Sequence, residues 1–290
     1  MLKPMAFGPE KRYLMNYKIV ADSSSNLFAI EGVDYGYVPL KIICGDKEYY
    51  DVPQQDVFEM LQELKEANLP STTSCPNAFE WKEAFGEAEG VFAITITSNL
   101  SGSCAAANQA KLDYEEEHPG RRVSVLDTLS VGPEARLIIE KLRELIAQGL
   151  PFDEVDAQIR TYMQHTHLLF SLESLENLAR NGRVNPAVAK VVGVLGIRIV
   201  GKASDVGTLQ QLHKCRGQKR AIATVLQEMK EHGYCGGKVR IDHALNLGAA
   251  VELKELIVKE FPDAAVEIGT CTALCSFYAE RGGMLVGYEG

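Results

Sequence analysis

The chain has 290 residues, 46% of them apolar and 24% charged, which is the balance of a globular protein with one large or two ordinary domains. Its net charge of −9 argues against a general nucleic-acid binder, which needs a basic face. No run of about 18 apolar residues is present to span a membrane.

The leader MLKPMAFGPEKRYLMN has neither the apolar core nor the cleavage site of a secretion signal. It reads as an extension, residues 1–16, with Met15 as an alternative start. Seven cysteines at scattered spacings fit a reducing cytoplasm better than a disulfide framework. Cys271 and Cys275 have no second pair or nearby histidine at zinc-finger spacing, so no metal is expected.

YKIVA (Tyr17–Ala21) reads as a buried strand running into the turn-forming DSSSN. Tyr37–Ile43 is a second strand, turned at Gly45 and Asp46 so that KEYYDV pairs back. Gln54–Ala67 carries Val57, Met60, Leu61 and Leu64 at helical spacing, and Asn77–Phe85 is another amphipathic helix. The strand VFAITI follows Gly90, then a helix over Ala105–Tyr114. The strand VSVLD follows, and a helix over Gly132–Gln148 stops at Gly149.

Such alternation predicts a parallel sheet covered on both faces, with ligands beyond the carboxyl ends of its strands. Asp22 with Ser23–Ser25, Thr97 with Ser98, and Asp127 with Thr128 stand at those ends and are expected to gather at one edge.

Beyond residue 160 the pattern changes. THLLFSL is a strand, SLENLARNGRV a helix ending at Gly182, and PAVAKVVGVLG a helix or packing segment. IRIVGKASDVGTLQQLHKCRG reads as a hairpin turning at Ser204–Gly207, followed by a helix over Gln218–Glu231. KVRIDHA is a strand, AAVELKELIVKEF a helix, and AVEIGTCTA and MLVGYEG close the chain as strands. The expected fold is α/β in two domains. Residues 17–160 form a parallel-sheet domain, and residues 161–290 form a second α/β domain with a mixed or antiparallel sheet.

STTSCPNAF and ITITSNLSGS each place Thr and Ser just ahead of a helix. Hydroxyls there, with the amides of the first helical turn, make an anion site without bringing charge, suited to a monovalent acid. Helix capping by Ser74 or Asn77, and by Asn99 or Ser101, is the plainer reading of the same residues. Ser101 and Ser103 are assigned to capping and packing.

A serine nucleophile needs a histidine base and its orienter. No G-x-S-x-G elbow is present, and no motif pairs His118, His165, His167 or His243 with a serine. Cys75 and Cys104 lack a base in the same way. No phosphate-binding glycine loop follows a strand.

These residues resemble the DegV family of bacterial fatty-acid-binding proteins. IVADSSSNL is similar to the family's opening strand and Asp-Ser turn, and TSCPNAF to its T-S-x-P-x-x-F segment. ITITSNLSGSCAAA is similar to its strand ending in S-S-x-L-S-G, and VSVLDTLSVG to its V-x-D-S strand and helix. LENLARNGRV is similar to L-x-x-L-x-x-x-G-R-I, and LGIRIVGKASDVGTLQQLHKCRGQKRA to the C-terminal hairpin. The match runs over nearly the whole chain after Met15.

The resemblance implies one long-chain fatty acid buried between two domains. Its carboxylate would rest on Thr73 and Ser98 with Thr97 beside them, and its tail would run into the second domain. Such proteins do no chemistry alone; they present the carboxylate to a separate ATP-dependent fatty acid kinase for phospholipid synthesis. The candidate ligand-binding residues are Thr73, Ser98, Thr97, Ser74, Asp22, Ser23 and Cys271. No catalytic or metal-binding residue is expected, and no cofactor beyond the bound fatty acid.

One departure stands out. The family's G-x-H-x-G-P-G segment is replaced by IGTCTALCSF, with Cys271 where the histidine is expected. A thiol is a weak donor, and losing a neutral hydrogen bond costs about 1 kcal/mol. A different ligand, weaker binding or another nearby donor is implied.

Arg183 is either a charge complementing a helix C-terminus or a rim charge beside the pocket. His213, Lys214, Arg216, Lys219 and Arg220 form a basic cluster, read either as a solvated face or as an edge for an acidic partner or transient membrane contact. Arg183, Lys214 and Arg216 are the candidate docking residues. The alternatives are a serine- or cysteine-dependent hydrolase or transferase acting on a small acid, and a lipid-sensing regulator without a kinase partner.

Overall fold

A computed structural model describes residues 16–185 and 196–290 of the chain. Residues 1–15 of the expected extension, and all but the last residue of PAVAKVVGVLG, lie outside the described residues.

The N-terminal half runs β1 (Tyr17–Asp22), β2 (Asp34–Val38), β3 (Lys41–Cys44), β4 (Lys47–Tyr50), α1 (Val57–Ala67), β5 (Ser71–Ser74), α2 (Ala78–Phe85), β6 (Gly90–Thr95), α3 (Ser103–Glu117), β7 (Arg122–Asp127), α4 (Pro133–Ala147) and α5 (Phe152–Tyr162). The C-terminal half runs β8 (Thr166–Leu172), α6 (Glu176–Arg180), β9 (Ile197–Ala203), β10 (Leu209–Arg216), α7 (Gln218–Glu231), β11 (Lys238–His243), α8 (Leu247–Glu260), β12 (Ala265–Thr270), α9 (Ala273–Ala279) and β13 (Met284–Glu289).

Strands in the order β2-β1-β6-β7 form a parallel sheet. Successive side chains point to opposite faces, so both faces of its apolar strands need cover. Ile19, Ala21, Phe92 and Ile94 pack against Ile138 and Leu142 of α4 and Val155 of α5. Val20, Val91 and Ala93 pack on the other side against Trp81 of α2 and Ala107 of α3. The second sheet, in the order β10-β9-β8-β13-β11-β12, is mixed: β11 and β12 are parallel, and the other pairs antiparallel. Helices α7 and α8 cover one of its faces. Its other face, carrying Leu168, Phe170 and Leu285, turns inward. These sheets match the expected fold class.

Three expectations are corrected. The strand expected over Tyr37–Ile43 is two strands divided at Pro39, which has no N–H for a ladder. β2 joins the parallel sheet, and β3 pairs antiparallel with β4 and β5 in a third small sheet. Ser71–Ser74, expected as a lead-in to a helix, is therefore a strand. AVEIGTCTA ends as strand at Thr270, and α9 begins three residues later. The Asp51 carboxylate accepts from Ala273 N at 2.7 Å and from Thr272 Oγ1 at 3.1 Å, capping α9 from a distant loop. Helix α5 was not expected, although Phe152, Val155 and Ile159 all face the core.

The hydroxyl and carboxylate clusters do gather at the carboxyl edge of the parallel sheet. Asp22 accepts from Ile96 N at 2.9 Å and from Ser103 Oγ at 2.7 Å. Thr128 Oγ1 donates to Thr95 O at 2.9 Å, and Asp127 accepts from Ser98 N at 3.2 Å.

Candidate functional site

Where the inward face of the mixed sheet meets the carboxyl edge of the parallel sheet, the packing leaves a cavity of about 870 Å³, its mouth included. Leu168, Phe170 and Leu172 line one wall, every second residue of β8, as strand geometry requires. Leu209 of β10 and Leu285 of β13 extend that wall. Ile96, Leu100 and Val131 face it from the loops after β6 and β7, and Leu274, Cys275 and Ala279 come from α9. The lining is mostly hydrocarbon.

Two of its polar members are tied together. Thr73 Oγ1 and the Tyr278 hydroxyl are hydrogen-bonded at 2.7 Å. Arg183 also lines the cavity, with Nε donating to Leu100 O at 3.2 Å and a second guanidinium nitrogen donating to Asn181 O. Burial pushes the Tyr278 hydroxyl above its ordinary pKa, although the Thr73 bond and the nearby Arg183 charge pull the other way. Tyr278 is thus a neutral donor. Ser101 and Gly102 line the cavity at the start of α3, whose N-cap glycine supplies no side-chain oxygen. The positive end of a four-turn helix therefore abuts the cavity, an arrangement that favours an anion.

The expected site residues divide. Thr73 and Arg183 line the cavity. Thr97 is buried but does not line it, its hydroxyl accepting from Asn99 N at 3.3 Å. Ser98 is exposed, two residues before the lining Leu100, and Ser74 donates to the adjacent Cys75 O at 3.3 Å. Asp22 and Ser23 are buried in a hub that joins elements. Besides its bonds to Ile96 and Ser103, Asp22 accepts from Ser24 Oγ at 2.5 Å, and Ser23 Oγ accepts from Leu40 N at 3.0 Å. Burial raises the Asp22 carboxyl above its usual range.

Cys271 is buried in the apolar cluster beneath the cavity, and burial raises its thiol well above its ordinary pKa, so it is neutral. Its neighbour Cys275 lines the cavity and donates to Ser24 O at 3.4 Å. Lys214 and Arg216 are exposed on β10, the edge strand of the mixed sheet. Charge there also discourages edge-to-edge pairing between molecules.

Tyr278 is the residue that sequence reasoning missed, because its helix was missed. The spacing of Leu274, Cys275, Tyr278 and Ala279 (i, i+1, i+4, i+5) is one helical face, and all four line the cavity.

No described helix is long and apolar enough to cross a membrane. The family model described as "Uncharacterised protein, DegV family" matches residues 16–289. A DegV domain-containing protein of Streptococcus pyogenes serotype M1 is 40% identical over 279 residues, which are 95% of this chain and 100% of that protein. A DegV family protein from Eubacterium eligens, solved loaded with heptadecanoic acid, has a TM-score of 0.92 at 40% identity, covering 94% of this chain and 99% of that one. The Streptococcus pneumoniae Fatty Acid Kinase (Fak) B3 protein, solved loaded with linoleic acid, has a TM-score of 0.93 at 39% identity, covering 95% and 99%. By family match and by relatives alike over nearly its whole length, the chain belongs to the DegV family.

Proposed function

We propose that the protein binds one long-chain fatty acid, with its tail in the apolar cavity and its carboxylate among Thr73, Ser101, Arg183 and Tyr278. Thr97 and Ser98, the other hydroxyls offered for the carboxylate, are not among the residues that line the cavity. The observation that carries this reading is the cavity itself, lined mainly by hydrocarbon side chains with a few polar groups, two of them hydrogen-bonded to each other. Burying each methylene contributes about 0.8 kcal/mol, so the tail supplies most of the affinity and the head group fixes direction. The fatty acids held by the Eubacterium eligens and Streptococcus pneumoniae proteins support the reading.

The further step is presentation of the carboxylate to a separate ATP-dependent fatty acid kinase. The name of the pneumococcal Fak B3 protein supports it. Arg183 at the cavity, and Lys214 and Arg216 on the exposed edge, are the residues offered to that partner. A cytoplasmic setting agrees with seven cysteines that are all free.

Solvent extraction of the purified chain, followed by mass spectrometry, is expected to yield one fatty acid per chain. A lipid-free protein that takes up neither palmitate nor oleate would overturn the reading. Thr73→Ala combined with Ser101→Ala is expected to weaken palmitate binding about tenfold or more, from the loss of hydrogen bonds worth about 1 kcal/mol each. Arg183→Gln is expected to weaken palmitate but not hexadecanol, which has no charge to meet. Adding a purified ATP-dependent fatty acid kinase to the loaded chain is expected to produce acyl phosphate. No turnover on loaded protein would remove the presentation step and leave binding intact.

A further inference from the structure

We propose that Phe170, lying flat over Gly201, sets the width of the cavity above the mixed sheet, and with it the preference between bent and straight acyl chains. The inference rests on the fatty-acid reading and deepens it. Phe170 sits on β8 directly opposite Leu285 of β13 on one side and Gly201 of β9 on the other. Phe170 and Leu285 both line the cavity. A Cβ placed on Gly201 would lie 2.4 Å from Phe170 Cζ and 2.6 Å from Cε2. The tip of the ring thus fills the space that a side chain at position 201 would occupy.

Gly201 is not among the glycines with positive φ, so its backbone does not call for glycine. Glycine inside a strand marks a close approach, and here the approaching group is the ring. With the ring laid over β9, the volume above the sheet stays open. Were it forced upright, it would project into the cavity from a wall that Leu168 and Leu172 otherwise keep level. A cis double bond widens the cross-section that an acyl chain sweeps, so a narrowed cavity rejects bent chains before straight ones.

The test is a competition between oleate and stearate for the delipidated full-length chain, read as the ratio of their dissociation constants. Phe170→Ala opens the floor and removes contacts from a straight chain. It is expected to shift the ratio toward oleate by about tenfold, the scale on which an apolar pocket senses a small misfit. Gly201→Ala raises the ring and is expected to shift the ratio toward stearate. The Gly201 Cβ would also meet Gln210 O at 2.4 Å, so a double variant separates ring from backbone. Phe170→Ala with Gly201→Ala is expected to behave as Phe170→Ala alone.

Ratios in both single variants within about twofold of the parent would overturn the proposal. So would a double variant that keeps the Gly201→Ala shift. If Gly201→Ala does not fold, the graded pair Phe170→Leu and Phe170→Ala decides by whether the ratio moves with ring removal. A parent chain that binds neither acid sinks the fatty-acid reading first, and this inference with it.

Discussion

Thr73 and Tyr278, 205 residues apart, share a 2.7 Å hydrogen bond across the cavity wall. Thr73 belongs to the small third sheet and Tyr278 to α9. One hydroxyl donates to the other, which leaves one proton free to meet a carboxylate. The pair supplies a hydroxyl donor, whereas the buried thiol of Cys271 is a weak one. Tyr278→Phe is expected to weaken fatty-acid affinity about three- to tenfold, near 1 kcal/mol, with little change in unfolding temperature. In a double-mutant cycle with Thr73→Ala, the two effects should couple by about 0.5 kcal/mol or more. Displacement of a fluorescent fatty acid measures both, and strict additivity would mean that the hydroxyls act separately.

A second prediction concerns a charge pair inside the molecule. Arg240 donates to both oxygens of Glu140, at 3.0 Å from Nε and 2.7 Å from Nη2, and their side chains are 6% and 9% exposed. Such a pair adds little net stability over an apolar one, but half of it is costly. Glu140→Ala is expected to destabilise the fold by about 3–5 kcal/mol, and Arg240→Met in the same chain to recover much of the loss. Urea unfolding of the single and double variants checks this.

Buried acids give stability a particular dependence on pH. Burial pushes the Asp51 carboxyl up to about 7, against hydrogen bonds from Ser23, Thr272 and the amides of Ala273 and Leu274, from an ordinary value of 3.8. Between those values the folded chain holds the proton and the unfolded chain does not. This group's contribution therefore falls as pH rises from about 4 to about 7, by up to about 1.4 kcal/mol per unit, and is flat outside that window. Glu134, raised to about 7, and Asp242, raised to about 6, act in the same direction. Asp51→Asn keeps an acceptor for Ala273 N and is expected to flatten the fall by one group's share. Unfolding midpoints at about pH 5 and about pH 8 decide it, since an unchanged difference would clear Asp51 of any part.

The tip of the β9–β10 hairpin is latched to the parallel sheet. Gly207 has φ +75°, and a Cβ there would lie 2.1 Å from Thr97 Oγ1 and 3.0 Å from Leu129 Cα. Asn99 Nδ2 donates to Val206 O at 2.6 Å beside it. Gly207→Ala is expected to destabilise the protein by about 1 kcal/mol or more, from the φ alone before the collision is counted. Hydrogen exchange over Ser204–Thr208 should speed up, and an undisturbed hairpin would show that the tip is not held by this contact.

Much of this architecture was legible in the sequence because it rests on local signals. Asn77 does cap α2, accepting from Glu80 N at 3.0 Å, and Gln218–Glu231 is a helix over the predicted range. What was illegible depended on partners far along the chain. Pro39 could break a strand at sight, but only tertiary pairing shows that the strands on its two sides enter different sheets. The TALCSFY stretch lacks a local cap; its helix is started by Asp51, more than 200 residues earlier, as the bond from Ala273 N shows. Ser98 has the type of a ligand-holding residue, yet the strand-end geometry turns its amide to Asp127 and leaves it exposed. Spacing shows which residues follow a strand but not which way each one faces.

Helix α4 belongs to both halves of the molecule. Ile138 and Leu142 sit in the core of the parallel sheet. Toward the mixed sheet, Thr166 donates to Glu134 at 2.9 Å, Lys238 donates to Glu144 at 2.6 Å, and a Cβ at Gly287 would come within 2.5 Å of the Pro133–Glu134 backbone. A clamshell opening about this helix would have to break all of these contacts and the buried Arg240–Glu140 pair with them, so α4 works as a rivet through both sheets and not as a hinge between them.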